Sequence, residues 1–142
     1  MFSQTCINAG VRVLKEEAQA LLDLVPTIGD SFVKACQIMM DTKGKVILTG
    51  VGKSGHVATK IASTLARTRT QPLLAHAGDA AHRDSRMIGK DDTVIAISNS
   101  GEGSELKVLI PILKRRQIPL IDIVGNVESC LGKVANVTLS AH

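Results

Sequence analysis

The sequence contains almost no aromatic residues. Phe2 and Phe32 are the two phenylalanines among 142 residues, and tryptophan and tyrosine are absent. Proteins that bind single-stranded nucleic acid stack bases on aromatic faces, so this composition disfavours that class. The formal net charge of +4 suits a small anionic ligand but is too weak to indicate a DNA-binding protein. We therefore expect no nucleic-acid partner.

Cysteine is also scarce. Cys6, Cys36 and Cys130 are odd in number, widely spaced and form no CxxC pair, so we expect neither a disulfide framework nor a zinc site. No apolar run approaches the roughly 18–20 residues that span a bilayer, and the N-terminus lacks the apolar core of a signal peptide. The sequence predicts a cytoplasmic protein without membrane contact, metal or other cofactor.

The first part of the chain has helical periodicity. Apolar residues recur at alternating spacings of three and four from Val11 to Val25, and we expect Pro26 to end this helix. A second stripe, from Ile28 to Met39, predicts another helix that ends near Asp41. Both helices are interpreted as ordinary packing elements or a seam between subunits, not as carriers of catalytic groups.

From Lys45 onward, short apolar runs alternate with helical stretches. The predicted strands are Val46–Thr49, Pro72–Ala75, Thr93–Ile97, Pro119–Val124 and Val137–Leu139. The predicted helices between them are Gly55–Ala66, Gly101–Arg115 and Val127–Lys133. Continuously apolar strands that alternate with helices are typical of a parallel sheet covered on both faces.

The predicted fold class is therefore α/β. We expect a doubly wound, five-stranded parallel sheet with helices on both faces, preceded by two N-terminal helices. We expect residues 1–142 to form a single domain, with leading helices in residues 1–44 and the sheet core in residues 45–142. In such sheets, ligands bind beyond the carboxyl ends of the strands.

The segment Gly50–His56 reads GVGKSGH and directly follows the first predicted strand. It satisfies GxGxxG, the pattern of a dinucleotide site. This interpretation is disfavoured because Lys53 and Ser54 lie inside the loop, and because the second strand runs into His76 instead of an acidic residue that could hold a ribose. The segment does not match a Walker A loop, because residue 47 is isoleucine where that motif needs glycine. An anion-binding turn and a merely tight turn remain as the two interpretations.

The segment Ser98–Glu105 reads SNSGEGSE and follows the third predicted strand. Hydroxyls, glycines and backbone donors converge here on one helix N-terminus, an arrangement that suits a phosphate monoester. The alternative is a helix cap with surplus hydroxyls, since serine and asparagine are common caps. A cap needs one such residue and this segment has four, so a phosphate site is the preferred interpretation.

A third polar segment, Ala75–Asp84, follows the second predicted strand and mixes histidine with aspartate. Its spacing matches no standard metal motif. Histidine can transfer protons near neutral pH, which makes His82 the functional candidate in this segment. A purely structural role for His82 is the alternative.

Together these segments resemble the sugar isomerase (SIS) family, and within it the arabinose-5-phosphate isomerase branch. The matching text, in the family's order, is TGVGKSGH at 49–56, IASTLA at 61–66, HAGDAAH at 76–82, ISNSGE at 97–102 and IPILKR at 110–115. The resemblance implies a sugar-phosphate ligand and the interconversion of D-ribulose 5-phosphate and D-arabinose 5-phosphate. It also implies a homodimer or homotetramer. The alternative function is a non-catalytic, sugar-phosphate-binding regulatory module.

The resemblance also assigns roles to residues. The phosphate-binding candidates are Ser54, Ser98, Ser100, Gly101, Gly103 and Ser104. The catalytic candidates are Lys53, Glu105 and His82. Proton transfer between C1 and C2 of a sugar needs a carboxylate or imidazole as base, and an ammonium can stabilise the enediolate oxygen that develops.

The sequence departs from the family at four positions. Arg69, Arg83 and Arg86 stand where the family usually has glycine, and Gly103 stands where it usually has a hydroxyl. The resembled domains also continue past the position of His142, with a further glutamate and histidine in the site, and a CBS pair often follows. We therefore expect a fragment that binds sugar phosphates but isomerises them poorly by itself.

Overall fold

The computed structural model of the protein describes residues 1–68, 72–74 and 87–141. Its helices are α1 (Phe2–Leu24), α2 (Asp30–Asp41), α3 (Lys53–Leu65), α4 (Ser104–Arg115) and α5 (Cys130–Val134), with a 3₁₀ turn at Val25–Thr27. Its strands are β1 (Val46–Gly50), β2 (Pro72–Leu74), β3 (Thr93–Ser98), β4 (Leu120–Val124) and β5 (Val137–Ser140).

The strands form one parallel sheet in the order β2-β1-β3-β4-β5. This is a doubly wound order in which the direction of winding reverses between β1 and β3. The α/β class predicted from the sequence is confirmed. Each predicted apolar run lies on one of these strands, except that Pro119 precedes β4 and Ala75 falls outside the described residues.

The core lies on both faces of the sheet. Ile47, Ala96 and Leu120 are among the strand residues that pack against α4 and α5 on one face. Leu48, Ile95 and other alternate residues pack against α2 and α3 on the opposite face. Because successive residues of the central strands are buried on opposite faces of the sheet, these strands have continuous apolar sequences without alternation of apolar and polar residues.

The amino edge of the central strand pair is held by Asp92. Its carboxylate accepts the backbone amides of Lys45 at 2.7 Å and Gly89 at 2.8 Å, and lies 3.3 Å from the Lys45 ammonium. Burial tends to raise the pKa of Asp92, but the two amides and the Lys45 ammonium outweigh it and hold this pKa below its usual value. These contacts fix the start of β3 beside the start of β1.

Helix α1 has the periodicity that the sequence predicted but no buried residue. Leu14 and Leu21 are each 69% exposed. Pro26 does not directly end the helix but lies in the 3₁₀ turn that continues from it. In the part of the chain that the structure describes, α1 and the other helices are too short or too polar to cross a membrane.

Candidate phosphate-binding site

The two glycine- and serine-rich segments leave neighbouring strands at the same edge of the sheet. Gly50, the last residue of β1, is paired in register with Ile97, and Ser98 ends β3 one residue later. The first loop and the second loop, as we call residues 50–55 and 98–104, therefore flank the point where the strand order reverses. Ligands of sheets with this order bind at that point.

The first loop contains glycines of two kinds. A Cβ on Gly50 would come within 2.7 Å of the Ser54 backbone, and one on Gly55 would come within 3.0 Å of the Gly50 carbonyl oxygen, so both are needed for close packing. A Cβ on Gly52 would meet no described residue within 4 Å, but Gly52 has a φ of +61°, a backbone conformation that favours glycine. Tight packing therefore explains two of the three glycines.

Gly52 also caps α3 without contributing a side chain. The amides of Lys53 and Ser54 begin the helix and have no intrahelical acceptor. The Lys53 side chain is exposed and that of Ser54 is half-buried. The start of α3 can therefore present two amides, a hydroxyl and an ammonium to an anion.

The second loop orients its hydroxyls by local hydrogen bonds. The Ser98 hydroxyl accepts the Gly101 amide at 2.9 Å, and the Ser100 hydroxyl accepts the Glu102 amide at 3.3 Å. A serine hydroxyl that accepts one hydrogen bond keeps its own hydrogen. Phosphate oxygens accept hydrogen bonds, so both serines can still donate to a phosphate.

Helix α4 begins at Ser104, three residues later than predicted, because Gly101 has a φ of +67° that no helix accommodates. Its cap is Gly103, and no side chain caps it. The cap interpretation of Ser98 and Ser100 is therefore wrong. Ser104 donates to the Glu105 carboxylate at 3.3 Å, so a phosphate would have to compete for that hydroxyl.

Gly101 is needed for space as well as for conformation. A Cβ there would overlap the Ser129 hydroxyl. Ser129 caps α5 by accepting the Gly132 amide, so Gly101 packs directly against the start of that helix.

Glu102 is a residue of this site that the sequence analysis missed. Its Oε1 accepts the Cys130 amide at 2.7 Å, and its Oε2 lies 3.5 Å from the Lys107 Nζ. The Cys130 amide, with help from Lys107 and Lys133, lowers the pKa of Glu102 below its usual value. No local pattern could have revealed a contact between segments 28 residues apart in the chain.

The catalytic candidates are only partly described. Lys53 lies in the first loop, and Glu105 is half-buried in the first turn of α4, so both lie at the carboxyl edge of the sheet. His82, Arg69, Arg83 and Arg86 lie outside the described residues. Within the described ranges, no group of three or more His, Cys, Asp or Glu side chains could hold a metal ion.

Asp122, on β4, was read from the sequence only as part of a strand. It is fully buried beside Ala96 and Thr138 in the sheet register. Neither carboxylate oxygen has a hydrogen-bond partner among the described residues. Burial raises the pKa of Asp122 to about 6, and the nearby Thr138 hydroxyl and the amides of Asp122 and Leu139 offset only part of this effect.

Comparison with known proteins identifies the class to which this fold and these loops belong. Residues 39–142 match the family model of the SIS domain. The chain belongs to the SIS-domain family, as the sequence motifs predicted.

The most informative relatives are named isomerases. The chain is 47% identical over 135 residues to the arabinose 5-phosphate isomerase KdsD of Pseudomonas aeruginosa, covering 95% of this chain and 41% of that protein. It is 48% identical over 132 residues to KdsD of Escherichia coli K12, covering 93% of this chain and 40% of that protein. The chain thus spans about two fifths of the length of these curated relatives.

A solved structure matches the fold closely. The protein c3406 of E. coli CFT073, solved in complex with arabinose 5-phosphate, superposes with a TM-score of 0.90 at 32% identity, covering 97% of this chain and 73% of that one. A Bacteroides fragilis protein that has been assigned to the phosphosugar isomerases superposes with a TM-score of 0.89 at 30% identity, covering 96% of this chain and 73% of that one.

Proposed function

We propose that the protein acts in a phosphosugar isomerase that interconverts D-arabinose 5-phosphate and D-ribulose 5-phosphate. The observation that carries this proposal is the meeting of the two loops at the reversal point between β1 and β3. The loops supply hydroxyls and helix-start amides, which are groups that bind a phosphate monoester, and the Lys53 ammonium lies beside them. The named activity of the relatives supports the same ligand class.

The proposed phosphate site combines both loops. Ser98 and Ser100 donate their hydroxyl hydrogens, because each hydroxyl already accepts a backbone amide. The amides at the start of α3 and the Ser54 hydroxyl complete the cradle from the other side. Gly101 and Gly103 let the backbone of the second loop approach the anion closely, and Ser104 is a further donor in competition with Glu105.

The proposed chemistry is a proton transfer between C2 and C1. Starting from the aldose, a base removes the C2 proton while the C1 carbonyl oxygen gains a proton, which gives an enediol. Return of a proton to C1 and loss of the O2 proton give the ketose. Glu105 and His82 are the candidate proton carriers, and Lys53 stabilises the negative oxygen that develops in between.

The two other functions considered are less well supported. The alternative of a regulatory module without turnover is not favoured, because the relatives at 47–49% identity are named as isomerases and the catalytic candidates Lys53 and Glu105 are present. A dinucleotide site is also disfavoured, since the sheet order differs from that of the dinucleotide-binding fold.

The test is deuterium exchange at C2 of D-arabinose 5-phosphate in deuterated buffer, followed by NMR. Exchange is a partial reaction that needs only a bound sugar and one working base, which suits a chain that spans two fifths of its relatives. We expect exchange above the buffer rate, and a loss of about tenfold to a hundredfold in Lys53→Ala at saturating sugar, with a smaller change in affinity. Binding without any exchange would instead support the regulatory module.

A further inference from the structure

The second loop is tied to the residue that follows β4 and to the start of α5. The Gly125 amide donates to the Asn99 carbonyl at 3.0 Å, the Leu131 amide to the Gly101 carbonyl at 3.1 Å, and the Cys130 amide to Glu102 at 2.7 Å. Two of these three bonds use backbone acceptors that any residue would supply. The bond to Glu102 depends on one side chain.

Glu102 connects this tie to a phosphate ligand. Its own amide donates to the Ser100 hydroxyl at 3.3 Å, while its carboxylate accepts from Cys130. A displacement of Glu102 therefore moves the group that sets the direction of the Ser100 hydroxyl. It also moves the neighbouring Gly101, which packs on Ser129.

A carboxylate at this position works against an anionic ligand. Like charges repel, and the lowered pKa keeps Glu102 ionised at neutral pH. The side chain is 47% exposed and lies 3.5 Å from the Lys107 ammonium, so solvent and Lys107 reduce the repulsion without removing it. Exposed ion pairs contribute little by themselves, so the pair with Lys107 does not explain the presence of the carboxylate.

We propose that Glu102 is a positioning residue, which holds Ser100 and Gly101 in the phosphate-binding conformation by accepting the Cys130 amide. This inference rests on the proposed function, because it assigns Glu102 to the same phosphate site. It makes the start of α5 a support for the second loop.

The test compares affinities for D-arabinose 5-phosphate and for inorganic phosphate by titration calorimetry. Glu102→Ala removes the acceptor, and we expect affinity to fall about fivefold to tenfold, which is less than the full effect of one charged hydrogen bond because the ligand is affected only through Ser100 and Gly101. Glu102→Gln keeps an acceptor oxygen without the charge, so its affinity should stay within about twofold of the unsubstituted chain or become tighter. Lys107→Met leaves the Cys130 bond in place and removes only the partial screening of Glu102, so its affinity should stay within about twofold of the unsubstituted chain.

The direction of the change in affinity distinguishes a positioning role of Glu102 from electrostatic repulsion. If repulsion dominates, Glu102→Ala and Glu102→Gln both bind more tightly, and the positioning role is overturned. Glu102→Asp keeps the charge but is too short to reach Cys130, so it should behave like Glu102→Ala and serves as the second variant if that one is unstable. Hydrogen exchange of the Cys130 amide should be faster in the Ala and Asp variants and unchanged in Lys107→Met.

The Ser100→Ala variant separates failure of this inference from failure of the proposed function. If Ser100→Ala weakens binding and Glu102→Ala does not, the phosphate site stands and the role of Glu102 is wrong. If neither variant changes the affinity for either ligand, the second loop does not bind phosphate, and both proposals fail.

Discussion

At the scale of single residues, the Ser100 hydroxyl is the clearest test of the phosphate site. It is exposed and accepts the Glu102 amide, so its hydrogen remains available for a ligand. Ser100→Ala should weaken the binding of D-arabinose 5-phosphate by about 1–2 kcal/mol, the size of a hydrogen bond to a charged group. Titration calorimetry measures this directly. Ser3→Ala, which removes an exposed hydroxyl from α1, is the control and should leave affinity unchanged.

The same scale shows what the sequence could and could not predict about the site. Ser98 and Ser100 were predictable because several hydroxyls and glycines stand together in one short segment that follows a strand. Glu102 stands in that segment too, but its importance depends on Cys130, which the fold brings beside it. The environment of Asp122 could not be predicted for a different reason. An acidic residue inside an apolar run gives no sign of whether its side chain is buried or paired.

At the scale of elements, the N-caps of α3 and α4 can be compared directly. Both caps are glycines, but Gly52 has a φ of +61° and Gly103 a φ of −57°. Among the residues that the structure describes, a Cβ on Gly52 would meet no atom within 4 Å, and one on Gly103 would make only ordinary contacts beyond 3.4 Å. The two positions therefore differ in backbone conformation and not in crowding.

This difference predicts opposite tolerance to alanine. Gly52→Ala should lower the free energy of unfolding by about 1–2 kcal/mol, because alanine avoids positive φ. Gly103→Ala should leave it within about 0.5 kcal/mol of the unsubstituted chain, as expected for a surface change without strain. Urea denaturation of both variants checks the pair. If both variants lost the same free energy of unfolding, the positive φ of Gly52 would not be the reason why this position needs glycine.

The elements themselves were largely predictable, and their ends were less so. Strands buried on both faces leave continuous apolar runs, which is why β1, β3 and β4 were located to within one residue. The start of α4 was placed too early because the conformation of Gly101 depends on its contact with Ser129. Periodicity from Val11 to Val25 predicted the later part of α1, but it did not reveal that the helix begins at Phe2 or that its apolar residues lie outside the core.

At the scale of the whole molecule, Asp122 makes stability depend on pH. Its pKa is about 6 in the folded protein against an ordinary value of 3.8, so between these values the folded state binds more protons than the unfolded state. Stability therefore falls as pH rises through this window, and the loss is complete above the folded-state pKa. The physical cause is the ionisation of a buried carboxylate that has no hydrogen-bond partner in the described part of the chain.

Asp122→Asn should remove this dependence. We expect its free energy of unfolding to exceed that of the unsubstituted chain by about 1–3 kcal/mol at pH 8, since two pKa units correspond to nearly 3 kcal/mol. At pH 4 the two proteins should have nearly equal stability, because the carboxyl is then neutral in the folded state. Denaturation at both pH values measures the difference. A gain of the same size at pH 4 would show that ionisation is not the cause.

The tie between Lys45 and Asp92 also has a consequence for the rate of folding. These residues are 47 positions apart, and they join the two central strands between which the whole of α3 and β2 is inserted. The chain loses the entropy of closing this loop before the contacts between β1 and β3 can stabilise the structure. Topologies dominated by pairings between distant residues therefore fold slowly. The two loops of the site extend from β1 and β3. The site therefore forms only after the long chain segment between these two strands has been closed. A weaker Asp92 tie would therefore delay the appearance of ligand binding during refolding, even though Asp92 lies at the opposite edge of the sheet.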